Sequence, residues 1–262
     1  MTIWIDPPAW PAHGRLWSHL ISDTSFEELH EFASAAGIPR RGFEGDHYDV
    51  PEERYAALLA AGARPVDGRT LVRLLHASGL RIPKRRHERV LHTQTDPPWL
   101  PPGSRVDVIA SRQDGPPANT AVVRLLAFTP GAVLVVRRSD GGLDLPSRPV
   151  GASALEPVLE RVQQETLGDQ AAATLVGYVR NTVPEAGAGP AAYPWPVPRA
   201  CFVVFAREVD SARPFGGGHW IALNEAVDHR WVSPAEFEDL CGRAFWWPLA
   251  RAVIALPHPE RG

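Results

Sequence analysis

The feature that most constrains the fold is a proline-rich seam at 84–105. It reads KRRHERVLHTQTDPPWLPPGSR, a basic run followed by two diproline steps. Proline pushes the residue before it towards extended backbone and donates no N–H, so a helix or a central strand does not continue through a diproline step. We therefore expect two separately folded domains, 1–82 and 106–262, joined by a Pro-rich linker at 83–105.

The composition is that of a folded protein. The chain has 262 residues, of which 44% are hydrophobic, enough to build more than one core. Its formal net charge of −3, with no acidic or basic tail, favours neither a nucleic-acid coat nor a membrane surface. Two cysteines, Cys201 and Cys241, are too few for a disulfide framework. We expect a cytoplasmic protein without membrane contact.

The first 80 residues alternate between strand and helix patterns. The stretches TIWID and SHLIS are β-rich, and a helical pattern in 23–37 begins at a Thr24 or Ser25 cap. Further helices are predicted after Pro51 and at about 69–78, each ending at a glycine. This order predicts a small α/β domain.

That domain concentrates side chains capable of chemistry. They are Asp6, His13, His19, Asp23, His30, Arg40, Arg41 and the run Asp46-His47-Tyr48-Asp49. Such a set could bind a divalent metal, or act as acid and base on a phosphate ester with the arginines as anion clamps. We expect His19, His47 and Asp49 to share a ligand-binding pocket.

Structural roles compete with that interpretation. Asp23 could simply start the first helix, and Asp49 could cap the helix after Pro51. His30 could face solvent, and GDHYD could be a turn with a packed tyrosine.

The second domain contains a loop and an amphipathic helix, LPSRPVGASALEPVLERVQQETLG, at 145–168. Ser153 and Glu156 have the spacing of a capping box, and Gly168 is a helix stop. The residues expected to face the core are Leu155, Val158, Leu159, Val162 and Thr166.

This second domain resembles the Nudix hydrolase family over about residues 105–255. The resemblance is carried by LVVRR, the LPSRPV loop with its helix, CFVVFAREV and EAVDHRWVSPAEFEDL, in that order. It implies an α/β/α sandwich with a mixed sheet. It also implies hydrolysis of phosphoanhydride bonds in nucleoside diphosphate derivatives, with Mg²⁺ or Mn²⁺ held by glutamates of the helix.

The helix departs from the family signature, G-x5-E-x7-R-E-U-x-E-E-x-G-U. The register that keeps the apolar stripe inward places Arg161, Gln164 and Glu165 on the metal side, where only Glu165 matches a metal-binding glutamate. Glu160 and Arg161 reverse the usual order, and Arg148 replaces a glycine of the loop. The resemblance thus implies a degenerate site, with Glu165, Arg161 and Glu160 as the catalytic candidates and Glu165 as the metal ligand.

The first domain resembles a bacterial and phage domain of unknown function over about residues 1–80. The matching stretches are WIDPPAWPAHGRLWSHLISDT, EELHEFASAAGIPRR, GDHYDVP and AAGARPV. This resemblance implies no activity.

Three functions follow from these patterns. The first is a weakly active Nudix-type hydrolase, and the second is a non-catalytic Nudix-fold module that binds a nucleotide and regulates its neighbour. The third is a phosphoester-directed activity in the first domain. We expect a nucleotide-like small molecule as the partner, bound by Arg148 and by Trp195 in the long loop 184–198. KRRHER is interpreted as a solvated tether, so no nucleic acid is expected, and a homodimer is left open.

Overall fold

The computed structural model describes residues 2–112, 115–138, 141–184, 193–210, 221–222 and 228–254. Most of the loop 184–198 and the first three residues of EAVDHRWVSPAEFEDL therefore lie outside the described residues. The chain divides into two compact units, Met1–Arg85 and Arg86–Gly262. Within the described residues, none of the helices is both long and apolar enough to cross a membrane.

The first unit is a sheet with three helices. Its strands are β1 (Ile3–Ile5), β2 (Trp10–Ala12), β3 (Arg15–Ser22), β4 (Tyr48–Pro51) and β5 (Arg64–Pro65). Its helices are α1 (Phe26–Ala35), α2 (Glu52–Ala60) and α3 (Gly68–Ala77), with a 3-10 turn at Arg40–Gly42. The strand order is β2-β3-β1-β5, and β4 pairs with β3. The β1–β5 pair is parallel and the others are antiparallel, so the sheet is mixed.

Local chemistry explains these helix boundaries. The Ser25 side chain accepts a hydrogen bond from the N–H of Glu28, which caps α1 as predicted. Asp67 caps α3 in the same way by accepting from Thr70. Leu29 and Ala33 of α1 are fully buried and pack into one core with Leu20 of β3. The small α/β domain predicted from the sequence is therefore confirmed.

One structural alternative for this unit is confirmed in part and another is wrong. Residues 45–47 of the GDHYD stretch form a bend and Tyr48 is buried, as that alternative predicts, but the last two residues begin strand β4. Asp49 does not cap α2, whose N-cap residue is Pro51 and makes no side-chain capping bond. Pairing with β3 fixes the backbone here, so the side chain of Asp49 is available for another role.

The second unit is built on a larger mixed sheet. Its strands are β6 (Glu88–Thr95), β7 (Arg105–Ser111), β8 (Thr120–Thr129), β9 (Ala132–Arg137), β10 (Leu143–Asp144), β11 (Ser147–Pro149), β12 (Thr174–Thr182), β13 (Arg199–Glu208), β14 (Ile221–Ala222) and β15 (Asp228–Val232). The helices are α4 (Leu155–Leu167), α5 (Pro234–Cys241) and α6 (Trp247–Val253). The strand order is β14-β15-β9-β8-β13-β12-β7-β6, and β10 and β11 pair with β9 and β8.

Helices cover both faces of this sheet. Strand β8 alternates, so that Leu125 packs on one face in a core with Val162 of α4. Leu126 packs on the other face in a core with Phe237 of α5 and Trp247 at the start of α6. Strands β8 and β13 run parallel, whereas β12 and β13 run antiparallel. The expected α/β/α arrangement with a mixed sheet is confirmed.

The segment expected to be a linker contains strand β6. This strand pairs antiparallel with β7, and its residue Val90 is buried. Because both diproline steps come after Thr95, they shape the turn between β6 and β7 and do not interrupt β6. The boundary between the compact units accordingly lies at Arg85 and Arg86. Independent folding of the units stays a prediction.

Helix α4 differs from its predicted form in two details. Its N-cap residue is Ala154, which makes no side-chain capping bond, so the predicted Ser153–Glu156 capping box is wrong. Its end at Gly168, with a φ of 73°, is as predicted. Gln163, which is not among the residues expected to face the core, is nevertheless buried and accepts a hydrogen bond from Arg207.

Candidate functional site

Two adjacent strands and the turn before one of them bring three polar side chains together in the first unit. His19 of β3 lies directly opposite Asp49 of β4, and His47 immediately precedes β4. The distance from Nε2 of His47 to Oδ1 of Asp49 is 3.2 Å, and from Nε2 of His19 to the same oxygen it is 3.9 Å. One donor atom from each residue lies within 4.8 Å of the other two. The three side chains therefore converge, whereas their sharing of a ligand-binding pocket stays a prediction.

A buried carboxylate fixes the orientation of His19. Asp6 follows β1, and its Oδ2 lies 3.0 Å from Nδ1 of His19. Its Oδ1 accepts the backbone N–H of His19, and Oδ2 also accepts the indole N–H of Trp10. Burial raises the pKa of Asp6, but these hydrogen bonds outweigh it and the pKa is lowered. An ionised Asp6 only accepts, so Nδ1 of His19 carries a proton and Nε2 faces the site.

A second buried carboxylate does the same for His47. Asp46, which is fully buried, lies 2.6 Å from Nδ1 of His47 through its Oδ1. Its other oxygen accepts from the N–H of Ile82 and from Arg81. Burial lowers the pKa of His47, but hydrogen bonds to Asp46 and Asp49 outweigh it and raise the pKa to about 9. Asp46 and Asp49 stabilise the positive charge of the protonated His47 ring. The same two carboxylates would stabilise a metal cation that replaces one proton of that ring.

The three donors fit a divalent transition metal. Two imidazole nitrogens and one carboxylate oxygen are common ligands of Zn²⁺ and Fe²⁺, whereas Mg²⁺ prefers oxygen. Ligands bound to one zinc ion at about 2.0–2.2 Å lie roughly 3–4 Å apart, close to the separations found here. Histidine ligands commonly donate their second nitrogen to a carboxylate, as both do here. The side chain of Asp49 is 41% exposed, so the site is open to solvent.

The site opens into a cleft of about 570 Å³. Its walls are the β2–β3 hairpin and the segment 37–44, and its lining includes His19 and Asp49. Arg41 and Arg54 also line it, and neither guanidinium group makes a hydrogen bond or ion pair with another described residue. Burial raises the pKa of Asp49, but the hydrogen bond to His47 and the charges of His47, His19 and Lys84 outweigh it and lower the pKa. Arginine side chains therefore line the open side of the site, together with the carboxylates of Glu44 and Asp49.

Other members of the predicted cluster lie elsewhere or at its margin. Asp23 accepts from the indole of Trp4 and the N–H of Thr2, which is a structural role. His30 does not simply face solvent, because its Nδ1 lies 2.8 Å from the hydroxyl of Tyr48. Burial, with help from the charge of Arg40, lowers the pKa of His30 to about 4. The remaining two, His13 and Arg41, line the cleft.

In the second unit, Glu165 is held by an arginine. Arg148 donates from Nε and from a terminal nitrogen to the two carboxylate oxygens, each at 2.7 Å. A bidentate guanidinium occupies both oxygens with a positive charge, so Glu165 does not fit the expected role of a Mg²⁺ or Mn²⁺ ligand. The other predicted catalytic residues, Glu160 and Arg161, are exposed on the same helix. Arg148, expected to bind ligand, is engaged in this pair.

Trp195 packs against the protein. It is half-buried, and its ring meets that of Phe202 edge to face at 5.5 Å. Phe202 in turn lines a small pocket of about 140 Å³ with Trp99, Arg124 and Asn181. Trp195 is not among the residues that line this pocket, and its stacking role stays a prediction.

Sequence reasoning missed several residues of the first site. Asp6 and Asp46 were recognised as polar residues but not as partners of the histidines. Trp10 and Arg54 were not considered, although both line the cleft. The sequence contains one signal for a wall of the cleft. Arg15, Trp17 and His19 alternate along strand β3, so their side chains must lie on one face.

Comparisons with known proteins support the two resemblances unequally. The family model DUF4031, described as a protein of unknown function, matches residues 3–78, in agreement with the resemblance predicted for the first unit. No curated protein matches the chain.

Two solved structures are similar to the chain at a low level. A mutant pyrophosphohydrolase from Bacillus subtilis is 15% identical, with a TM-score of 0.31, over 46% of this chain and 66% of its own. A MutT structure from a study of Aliivibrio salmonicida and Vibrio cholerae is 14% identical, with a TM-score of 0.34, over 52% of this chain and 96% of its own. Both are Nudix hydrolases, but at these values the likeness assigns no activity to this chain.

Proposed function

We propose that the first unit is a metal-dependent hydrolase of phosphate esters. His19, His47 and Asp49 would bind one divalent transition metal, and the neighbouring cleft would hold the ester. The observation that carries the proposal is that one donor atom from each residue lies within 4.8 Å of the other two, while each histidine Nδ1 is already held by a buried carboxylate. Fixed second partners of this kind are typical of metal-binding histidines.

The unpaired arginines favour a phosphate as the group bound. Arg41 and Arg54 line the cleft without a carboxylate partner among the described residues. Guanidinium groups bind phosphate oxygens through two parallel hydrogen bonds, and this pairing compensates their charge. A cation site beside two free guanidinium groups is suited to a polyanionic substrate, because each negative oxygen finds a positive partner.

The proposed reaction consumes one water molecule. The water oxygen forms a bond to phosphorus, the bond from phosphorus to the ester oxygen breaks, and the departing alcohol takes the proton lost by the water. A bound metal supplies a Lewis acid for this chemistry. The chain itself orients the phosphate through Arg41 and Arg54, and Asp6 and Asp46 keep both imidazoles in the required tautomer.

The test is metal binding and hydrolysis by the full chain. Calorimetry should detect one Zn²⁺ per chain, with Mg²⁺ bound at least about 100-fold more weakly because two of the three ligands are nitrogens. Asp49→Ala should weaken Zn²⁺ binding about 100-fold or more and abolish release of p-nitrophenol from p-nitrophenyl phosphate and its bis ester. The matched control is Asp67→Ala, an exposed helix cap in the same unit. Zinc binding that survives Asp49→Ala contradicts the site.

For the second unit we propose the non-catalytic alternative, a module that binds a nucleotide-like small molecule. The bidentate pair between Arg148 and Glu165 favours it over a weak Nudix-type hydrolase with a Mg²⁺ or Mn²⁺ centre. The pocket that contains Trp99, Phe202 and Arg124 is a candidate location. Arg124 is largely buried there, and its Nε faces Oδ1 of Asp144 at 3.6 Å without a hydrogen bond, so a ligand acceptor would supply the hydrogen bond that this nitrogen lacks.

A further inference from the structure

Trp10 combines high exposure with a fixed position. Trp10 is 55% exposed, which is unusual for tryptophan, the largest apolar side chain. Its indole N–H nevertheless donates to Asp6, the carboxylate that also holds His19. The indole also meets the ring of His19 edge to face, with 5.4 Å between ring centres. The chain therefore presents an ordered aromatic surface to solvent directly beside the proposed metal ligand.

The hairpin places this surface inside the cleft. Trp10 of β2 lies directly opposite Trp17 of β3, so both indoles are on one face of the ribbon. His19 is two residues beyond Trp17 and shares that face, whereas Leu16 points to the other. Trp10, Trp17 and His19 all line the cleft, and Leu16 does not. One wall of the cleft thus runs from an aromatic pair to a metal ligand.

We infer that the phosphate ester is a nucleotide whose base stacks on Trp10. This inference rests on the proposed function of the same site and names its substrate class. A planar ring recovers the free energy lost by exposing the indole, because stacking removes apolar area from both rings. Arg41 and Arg54 supply the complementary positive charge for the phosphate end.

An apolar partner protein fits this wall less well. Such a partner would cover the indoles but would leave the two guanidinium groups and the His/Asp set desolvated without compensation. A ligand that carries a ring at one end and a phosphate at the other satisfies both parts of the cleft. A nucleoside phosphate has this form.

The experiment compares two ligands that differ only in the base. Binding of adenosine 5′-monophosphate and of ribose 5-phosphate to the full chain is measured by calorimetry in the presence of Zn²⁺. The nucleotide is expected to bind about 10-fold more tightly, the effect of one stacked base. Trp10→Ala should reduce this ratio to about one, and Trp10→Phe should keep at least about 3-fold, because the phenyl ring still stacks although it no longer donates to Asp6.

The control is Leu16→Ala, which removes a 37% exposed apolar side chain from the opposite face of the same hairpin and should leave the ratio unchanged. A ratio near one in the unaltered protein, no binding of the nucleotide, or a ratio that survives Trp10→Ala would each overturn the inference. Loss of the ratio in Trp10→Phe as well would overturn stacking in favour of the bond to Asp6. If the ratio behaves as expected while both nitrophenyl esters stay intact, the hydrolase proposal fails and nucleotide recognition stands.

Discussion

The carboxylates of the two candidate sites have opposite kinds of partner. In the first unit, buried Asp6 and Asp46 each engage the inner nitrogen of a histidine, and the outer nitrogens face Asp49 and the cleft. In the second unit, Glu165 is the one carboxylate of α4 that matches the family's metal ligands, and Arg148 engages both of its oxygens. In the first unit, the outer nitrogens of the histidines and the carboxylate of Asp49 remain available to a cation. In the second unit, both oxygens of Glu165 are already bound by the cationic guanidinium group of Arg148.

The difference teaches that residue type alone does not define a metal site. A histidine becomes a ligand when a second group fixes its tautomer and leaves its remaining lone pair accessible. A glutamate ceases to be one when a guanidinium matches its geometry, since a metal would have to displace two charge-assisted hydrogen bonds. The resemblance pointed to α4, whereas the geometry favours the β3–β4 pair.

The largest expected effect that tests this comparison follows from neutralising Asp6 or Asp46, the two buried carboxylates that hold the histidines. Asp46→Asn and Asp6→Asn keep an accepting oxygen but remove the charge that holds each imidazole, so Zn²⁺ affinity should fall about 10- to 100-fold in either variant. Calorimetry of the full chain provides the measurement, with Asp67→Asn as a control because Asp67 is an exposed cap. Equal affinity in all three variants would mean that Asp6 and Asp46 only support the fold.

A smaller effect is expected in the second unit, when the ion pair between Arg148 and Glu165 is removed. The side chains of Arg148 and Glu165 are 41% and 29% exposed, so solvent screens the pair. Arg148→Ala should lower the free energy of unfolding by less than about 1 kcal/mol. Glu165→Gln should leave Zn²⁺ binding and any hydrolysis of nucleoside diphosphate derivatives unchanged.

These two variants are compared by chemical denaturation and by phosphate release. A Mg²⁺-dependent diphosphate hydrolysis that disappears in Glu165→Gln would restore the catalytic interpretation of α4. Glu156→Gln, on an exposed part of the same helix, is the matched control.

The smallest expected effect concerns His30, a histidine of the first unit outside the proposed metal site. Burial and the charge of Arg40 lower its pKa to about 4. An unfolded histidine has a pKa near 6.5, so the unfolded chain takes up the proton first as the pH falls. The contribution of His30 to stability is therefore complete above about pH 6.5 and is lost as the pH falls towards 4. Nuclear magnetic resonance, with His30→Gln to assign the signal, should find a midpoint well below 6.5. A midpoint at 6.5 would refute the buried neutral state.

Prediction from the sequence succeeded where neighbouring residues decide the structure. Ser25 caps α1 because its hydroxyl reaches an N–H three residues away, and Gly168 ends α4 because glycine tolerates a positive φ. It failed at Ser153, although the spacing was suitable, because the helix begins after Ala154. It also failed at β6, whose strand character depends on pairing with β7.

The sequence by itself determined the α/β class, most helices and the presence of His19, His47 and Asp49 in one small unit. Only the tertiary structure decided which nitrogen of His19 is open, since Asp6 lies 13 residues away, whereas Asp46, the partner of His47, is its neighbour in the chain. The tertiary structure likewise decided that Arg148 binds the carboxylate of Glu165, which lies 17 residues further along the chain. The physical reason is that periodicity and capping depend on contacts within one or two turns, whereas strand register and side-chain pairing depend on long-range packing that local patterns do not encode.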